Sequence, residues 1–305
     1  YYSILARNVI ICSVNRDVNY LFINGARKIQ LWHGNPMKKI GLDDKFSPLH
    51  SFFQRKIVPL LFPFADEVAN DYVVSNSEAF SDKMASAFAV PITRVLETGC
   101  PRNDIFYSKE TDSFNNGLKG KFKGAKLIYY LPTFRSHHGS KSLFTLPDYS
   151  LDELEAFLKK ENLVFVSKGH YVDNQLSDKT KSTDSRLINL SDEDVSDINF
   201  MLKDADLLIT DYSGAYFDFL LTQKPIILAA FDLEEYISSS REMYFDYKSS
   251  VAGPIVKTWT DLYSALTYIW TTSEYQSSLK EKNEIFNKYH DDQNSKRVFQ
   301  AIAGF

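Results

Sequence analysis

Short apolar runs alternate with segments of helical period along almost the whole chain. Asn8-Val9-Ile10-Ile11-Cys12-Ser13 reads as a strand buried on both faces, and Lys28-Ile29-Gln30-Leu31-Trp32 as a second strand ending at His33-Gly34. Tyr72-Val73-Val74-Ser75 is a third. A helix follows, with Asn76 or Ser77 as its cap. Arg94 to Thr98 leads into the turn Gly99-Cys100-Pro101-Arg102. Residues 109–124 are polar and Gly-rich without a hydrophobic period, which predicts a linker.

Beyond residue 124 the alternation resumes. Lys126 to Leu131, Leu163 to Ser167, Leu207 to Thr210 and Pro225 to Leu228 are predicted strands. Leu151 to Asn162, Ile198 to Leu202, Ala215 to Thr222, Asp261 to Trp270 and Glu274 to Tyr289 are predicted helices. Strands that alternate with helices predict parallel sheets covered on both faces. The expected architecture is α/β, with two doubly wound, Rossmann-like domains over residues 1–112 and 113–305 and the first of them short. Ligands in such sheets bind beyond the carboxyl ends of the strands. His33, Arg102, Arg135, His170 and Asp211 all fall at predicted strand ends.

Composition narrows the classes of function. The chain has 305 residues, 44% hydrophobic, which argues against disorder. Its net charge of −4 argues against a nucleic-acid binder. Two cysteines, Cys12 and Cys100, offer no disulfide framework or structural metal site and read as buried free thiols, as in a reducing compartment. No signal peptide or apolar run of membrane-spanning length occurs. The chain opens on Tyr1-Tyr2 and runs straight into a strand pattern, so an upstream segment is expected.

Five stretches carry candidate chemistry. Leu207 to Asp218 runs from a buried strand through Asp211, Tyr212, Ser213 and Gly214 into a helix start, where free N–H groups would favour a phosphate. An ordinary capped helix has the same pattern. His33 is followed by Gly34 and is close in sequence to Lys38 and Lys39; near pH 7 it can accept a proton from a hydroxyl, and the two lysines can hold anions. Lys168-Gly169-His170 places a cation and an imidazole at another strand end, suited to a pyrophosphate. For both histidines a structural imidazole remains open. Arg135 and Arg102 can each clamp a phosphate, although Arg102 could equally fix its local turn. His137-His138 lacks further ligands at metal spacing, so no metal is expected.

Taken in order, Trp32-His33-Gly34, Gly99-Cys100-Pro101-Arg102-Asn103-Asp104, Leu131-Pro132-Thr133-Phe134-Arg135, Lys168-Gly169-His170, Ile209 to Gly214 and Lys224 to Ile227, followed by Asp232 and Tyr236, resemble the CDP-glycerol glycerophosphotransferase family of teichoic-acid primases and polymerases. The resemblance covers nearly the whole chain. It implies a GT-B fold, with two Rossmann-like domains facing a cleft and the first short or truncated. It also implies a CDP-linked polyol phosphate (glycerol or ribitol) as donor substrate with no further cofactor, and a lipid-linked or polymeric acceptor. His33 matches the proposed general base and His170 the histidine near the donor pyrophosphate. Asp211, Ser213 and Gly214 match the donor loop, with Arg135 and Lys168 beside the donor phosphates, and Lys38, Lys39 and Arg102 are candidate acceptor or anion contacts. The chain departs from the family pattern at Asn35, where Thr is usual, at Gly214, where a second Ser is usual, and at Gly169-His170-Tyr171. A nucleotide-sugar glycosyltransferase and a catalytically inactive family member are the alternatives.

Leu49 to Phe64 places Phe52, Phe53, Ile57, Leu60, Leu61 and Phe64 near helical spacing beside Arg55 and Lys56. An amphipathic, basic, Phe-rich stretch suits an anionic membrane surface, and a core helix interrupted by Pro59 and Pro63 is the other reading. Residues 26–60 contain seven basic and two acidic residues, a local +5 that the total of −4 conceals. The resemblance, with its lipid-linked acceptors, implies a cytoplasmic, peripheral location on the inner face of a bacterial plasma membrane; an oligomer is possible.

Overall fold

The computed structural model describes residues 5–13, 17–18, 23, 25–45, 47, 51, 53, 57, 60, 70–133, 142–168, 184–191, 195, 197–239 and 242–304. In chain order the elements are β1 (Asn8–Ile11), β2 (Arg27–Gln30), β3 (Tyr72–Ser75), α1 (Glu78–Ala87), β4 (Val95–Glu97), α2 (Ser113–Lys121), β5 (Lys126–Leu131), α3 (Leu151–Lys160), β6 (Leu163–Ser167) and β7 (Leu187–Asn189). They continue with α4 (Ile198–Lys203), β8 (Leu207–Thr210), α5 (Ala215–Phe219), β9 (Ile226–Leu228), α6 (Leu233–Ser239), α7 (Tyr247–Ser250), α8 (Trp259–Tyr268), α9 (Gln276–Phe286) and α10 (Asn294–Ala303). The strands form two wholly parallel sheets, ordered β1-β2-β3-β4 and β7-β6-β5-β8-β9. Together they make an α/β, GT-B-like fold.

The chain divides into two compact units. One comprises residues 1–107, 234–250 and 284–305; the other comprises 108–233 and 251–283. A single division near residue 112 therefore does not describe the packing, because two later segments return to the first unit. Side chains explain the return. Phe80 of α1 meets Phe245 and Phe286 edge-on or tilted, with ring centroids 5.6 Å apart in both pairs. Val298 and Ile302 of α10 pack on Ile29 and Val74 of the first sheet. The Asp104 carboxylate accepts the Asn294 and Ser295 N–H groups at 2.8 and 2.9 Å, capping α10.

In the second unit the strand order is that of a doubly wound sheet, and the order reverses between β5 and β8. β5 after its first residue and all of β6 and β8 are buried, as their near-continuous apolar sequences require. Trp259 is fully buried in this core beside Phe144 and Phe165, and its indole N–H donates to the Leu143 carbonyl at 2.7 Å.

Three local expectations are corrected. The stretch 109–124 contains helix α2 rather than a linker. Asp112 caps it by accepting the Asn115 N–H at 2.8 Å, and Asn115 is buried with its amide bonded to the Tyr129 hydroxyl and the Met201 carbonyl. This helix faces the core through polar Asn115 as well as Leu118, so it has no clear apolar stripe. β1 is not buried on both faces, since Ile10 is 45% exposed on this edge strand. Cys12 is exposed, and only Cys100 is buried.

Candidate functional site

His33 lies just past the carboxyl end of β2. The strand stops at Gln30, and Trp32 turns the chain with φ 58°, a left-handed conformation that costs a residue with a Cβ about 1–3 kcal/mol. The Trp32 N–H donates to the Gln30 side-chain oxygen at 2.8 Å, and the two adjacent rings, Trp32 and His33, lie with centroids 4.0 Å apart. His33 Nδ1 is 3.2 Å from the Cys12 carbonyl oxygen at the end of β1. A carbonyl can only accept, so this bond requires the proton on Nδ1 and leaves Nε2 as the basic nitrogen. Asp17 fixes that carbonyl's setting by accepting the Cys12 and Ser13 N–H groups at 2.8 and 2.7 Å.

The imidazole pKa is lowered from its ordinary value. Partial desolvation is the main cause, opposed by the Cys12 carbonyl, helped by the Arg102 charge and opposed in turn by Asp17. His33 is thus neutral and basic near pH 7, with a guanidinium close enough to act on it. Arg102 also approaches the next residue: a Cβ on Gly34 would sit 3.8 Å from its nearest terminal nitrogen. The structure therefore gathers His33, Arg102, Cys12 and Asp17 at one strand edge. Asn35, two residues beyond His33, is buried and lies with its side-chain oxygen 3.7 Å from the Cys100 sulfur.

Most of the Gly99–Asp104 motif is structural. Gly99 has φ 77°, and a Cβ there would fall 2.1 Å from the Asn294 side-chain oxygen. Asn103 is buried against Asn76, and Asp104 caps α10. That leaves Arg102 as the motif's candidate for ligand contact.

The two lysines near His33 already have protein partners. Lys39 pairs with Glu242 at 2.5 Å, and the same carboxylate takes Lys45. Glu242 is held down at about 2, chiefly by the Lys39 and Lys45 hydrogen bonds. The Lys38 ammonium stands 5.8 Å from the Tyr236 ring centroid, and its backbone bridges to Met243.

In the second unit, the reversal between β5 and β8 is closed by Asp211. It is buried, and its Oδ1 accepts the Thr133 N–H at 2.8 Å and the Tyr212 N–H at 2.5 Å. This carboxylate sets the exit of β5, immediately before Phe134 and Arg135, against the exit of β8. The Tyr212 hydroxyl donates to Asp232 at 2.9 Å. The Ser213 hydroxyl accepts the Ala215 N–H at 3.3 Å, at the start of α5, whose N-cap is Gly214. That helix has five residues before it tightens into the 3-10 turn Leu220–Thr222, so its dipole is small. Gly214 has φ −61°, which any residue adopts, so no backbone demand selects glycine there. Lys168 follows β6, its N–H donating to the Tyr130 carbonyl at 3.2 Å. His170, Arg135, Phe52, Arg55 and Lys56 lie outside the described residues, whereas Phe53 is described and is 58% exposed. Among the described residues no group of three His, Cys, Asp or Glu side chains is placed to hold a metal ion.

Residues 1–304 match the family described as CDP-Glycerol:Poly(glycerophosphate) glycerophosphotransferase. The chain belongs to this family. It is 32% identical over 283 residues to a teichoic acid glycerol-phosphate transferase of Staphylococcus aureus (strain NCTC 8325 / PS 47), covering 90% of this chain and 70% of that protein. It is 33% identical to the teichoic acid ribitol-phosphate polymerase TarL of the same strain, covering 72% of this chain but only 39% of TarL. Among solved structures it resembles the wall teichoic acid polymerase TagF soaked with CDPG, with TM-score 0.73, 25% identity, and coverage of 92% of this chain and 68% of that one. Two residues that sequence reasoning passed over bond the segments around His33: Gln30, through Trp32 and Ser13, and Asp17, through the Cys12 and Ser13 N–H groups. The signal for Gln30 is a polar residue at the end of a short strand, three residues before the histidine; Asp17 carries no comparable signal.

Proposed function

We propose that this chain transfers a polyol phosphate from a CDP-linked donor to a hydroxyl of a lipid-linked or polymeric acceptor in bacterial cell-wall synthesis, with CMP as leaving group. The acceptor oxygen attacks the β-phosphorus that carries the polyol, the bond from that phosphorus to the bridging oxygen of CMP breaks, and a phosphodiester forms. His33 takes the acceptor proton on Nε2. The observation that carries this reading is the His33 environment: Nδ1 on the Cys12 carbonyl, a lowered pKa and Arg102 nearby. A general base works best when it is unprotonated at the operating pH and correctly aimed.

Arg102 is the candidate for acceptor or phosphate charge. On the donor side, Lys168 and Ser213 are the described candidates for phosphate contact, with His170 two residues after Lys168 and Arg135 four residues after β5 as further candidates, while Asp211 holds the two strand exits in place. The relatives' names divide between glycerol and ribitol phosphate, so the donor is assigned as a CDP-polyol. Peripheral attachment to the inner face of the plasma membrane is part of the proposal, supported by exposed Phe53 and Leu60 within the basic, Phe-rich stretch. No helix among the described residues is long and apolar enough to cross a membrane.

The test is CMP release from CDP-glycerol and CDP-ribitol in parallel, with and without a teichoic-acid acceptor. Acceptor-dependent CMP from either donor supports the assignment. Release from neither, with a nucleotide sugar turned over instead, overturns it. Co-sedimentation with anionic liposomes tests the membrane part separately, and a protein left in the supernatant removes it.

A further inference from the structure

We propose that Gln30 is a positioning residue for His33, its buried side-chain amide holding the imidazole with Nδ1–H on the Cys12 carbonyl and Nε2 free for the acceptor proton. The inference rests on the reading of His33 as the base.

Gln30 is the last residue of β2 and only 1% exposed. A polar amide at such a site is retained only if both its ends are satisfied. Here they are. Oε1 accepts the Trp32 N–H at 2.8 Å, and Nε2 donates to the Ser13 carbonyl at 3.2 Å. The first bond closes a local turn around Trp32, whose left-handed φ of 58° is sparsely populated for a residue with a Cβ. The second ties that turn to the end of β1. His33 follows Trp32, and its acceptor Cys12 precedes Ser13, so one amide spans both ends of the 3.2 Å His33–Cys12 contact. An apolar residue of the same volume would fill the space, but it would leave the Trp32 N–H and the Ser13 carbonyl without this partner and the turn free to relax.

Displacement of a catalytic group by about 1 Å can cost roughly 100-fold in rate. Gln30→Leu is therefore expected to lower kcat by about 10–100-fold while CDP-glycerol affinity stays within about twofold. Gln30→Glu gives a conservative rescue. When protonated, its carboxyl both accepts from Trp32 and donates to Ser13; when ionised it can only accept. The ratio of its kcat to that of the wild type at the same pH should approach one at low pH and fall as the carboxyl ionises, adding a basic limb that the wild type lacks. Nitrogen-15 histidine spectra give a readout independent of turnover: His33, identified by its loss in His33→Ala, should be the Nδ1–H tautomer in the wild type and a tautomer mixture in Gln30→Leu.

The proposal is overturned if Gln30→Leu keeps the wild-type tautomer and kcat, or if its rate loss multiplies undiminished onto that of His33→Ala. Should Gln30→Leu fail to fold, Gln30→Glu decides alone: a pH profile matching the wild type refutes the role, and the extra limb supports it. If His33→Ala turns over normally, the general-base reading fails, while the tautomer spectra still report whether Gln30 sets the ring.

Discussion

Asp104 separates a structural from a chemical reading of the Gly99–Asp104 motif. Its two carboxylate oxygens accept the first two N–H groups of α10, at 2.8 and 2.9 Å. That helix covers Ile29 and Val74 of the first sheet with Val298 and Ile302. Asp104→Ala removes the cap, about 0.5–2 kcal/mol. It also removes a negative charge at the helix start, about 0.3–1 kcal/mol more. The sum is roughly 1–3 kcal/mol. At about 2–4 °C per kcal/mol for a unit of this size, the melting temperature should fall by roughly 2–12 °C. Asp104→Asn keeps one acceptor and should lose about half as much. Differential scanning calorimetry measures the shift, and CMP release at 20 °C, well below the transition, measures the chemistry. Turnover within about threefold of the wild type is expected, because the cap touches no reacting group. An Asp104→Ala protein with unchanged melting temperature and abolished turnover would refute the structural reading and place Asp104 on the substrate.

Other substitutions test the rest of the account. Asn115→Leu should destabilise the second unit by about 2–4 kcal/mol in urea unfolding, because it strands the buried Tyr129 hydroxyl and the Met201 carbonyl. Asp211→Ala should weaken CDP-glycerol binding by calorimetry, through release of the Thr133 and Tyr212 amides, and Asp211→Asn should do so less because it retains an acceptor oxygen. The proposed base role predicts an acidic limb in the pH profile of kcat: a base acts when neutral, so rate should fall as pH drops through the His33 pKa, and the lowered pKa puts that midpoint below the ordinary imidazole value. A midpoint above it would contradict the site described.

Most strands of both parallel sheets were legible from alternating apolar strands and helices, because buried parallel strands have a strong pattern; the three-residue edge strands β4 and β7 were too short to show it. Helix α2 was not legible, since its inward face includes Asn115, whose burial depends on Tyr129 and Met201 far along the chain. The return of α10 to the first unit was equally hidden. It depends on Asp104 meeting Asn294 and Ser295, a contact across 190 residues. His33 could be nominated from its position at a strand end, but its tautomer follows from the Cys12 carbonyl and could not be read locally. Lys39 shows the opposite limit: sequence suggested an anion contact, and folding supplied Glu242. Asp211 stood out in the motif, yet its visible work is to bind two backbone amides rather than to present a free carboxylate.

The most direct measurement of the central claim compares wild type with His33→Ala for acceptor-dependent CMP release from CDP-glycerol and CDP-ribitol, alongside calorimetric binding of CDP. Removal of a general base predicts a fall of about 10²–10⁴ in kcat with CDP affinity unchanged. Undiminished turnover by His33→Ala would contradict it.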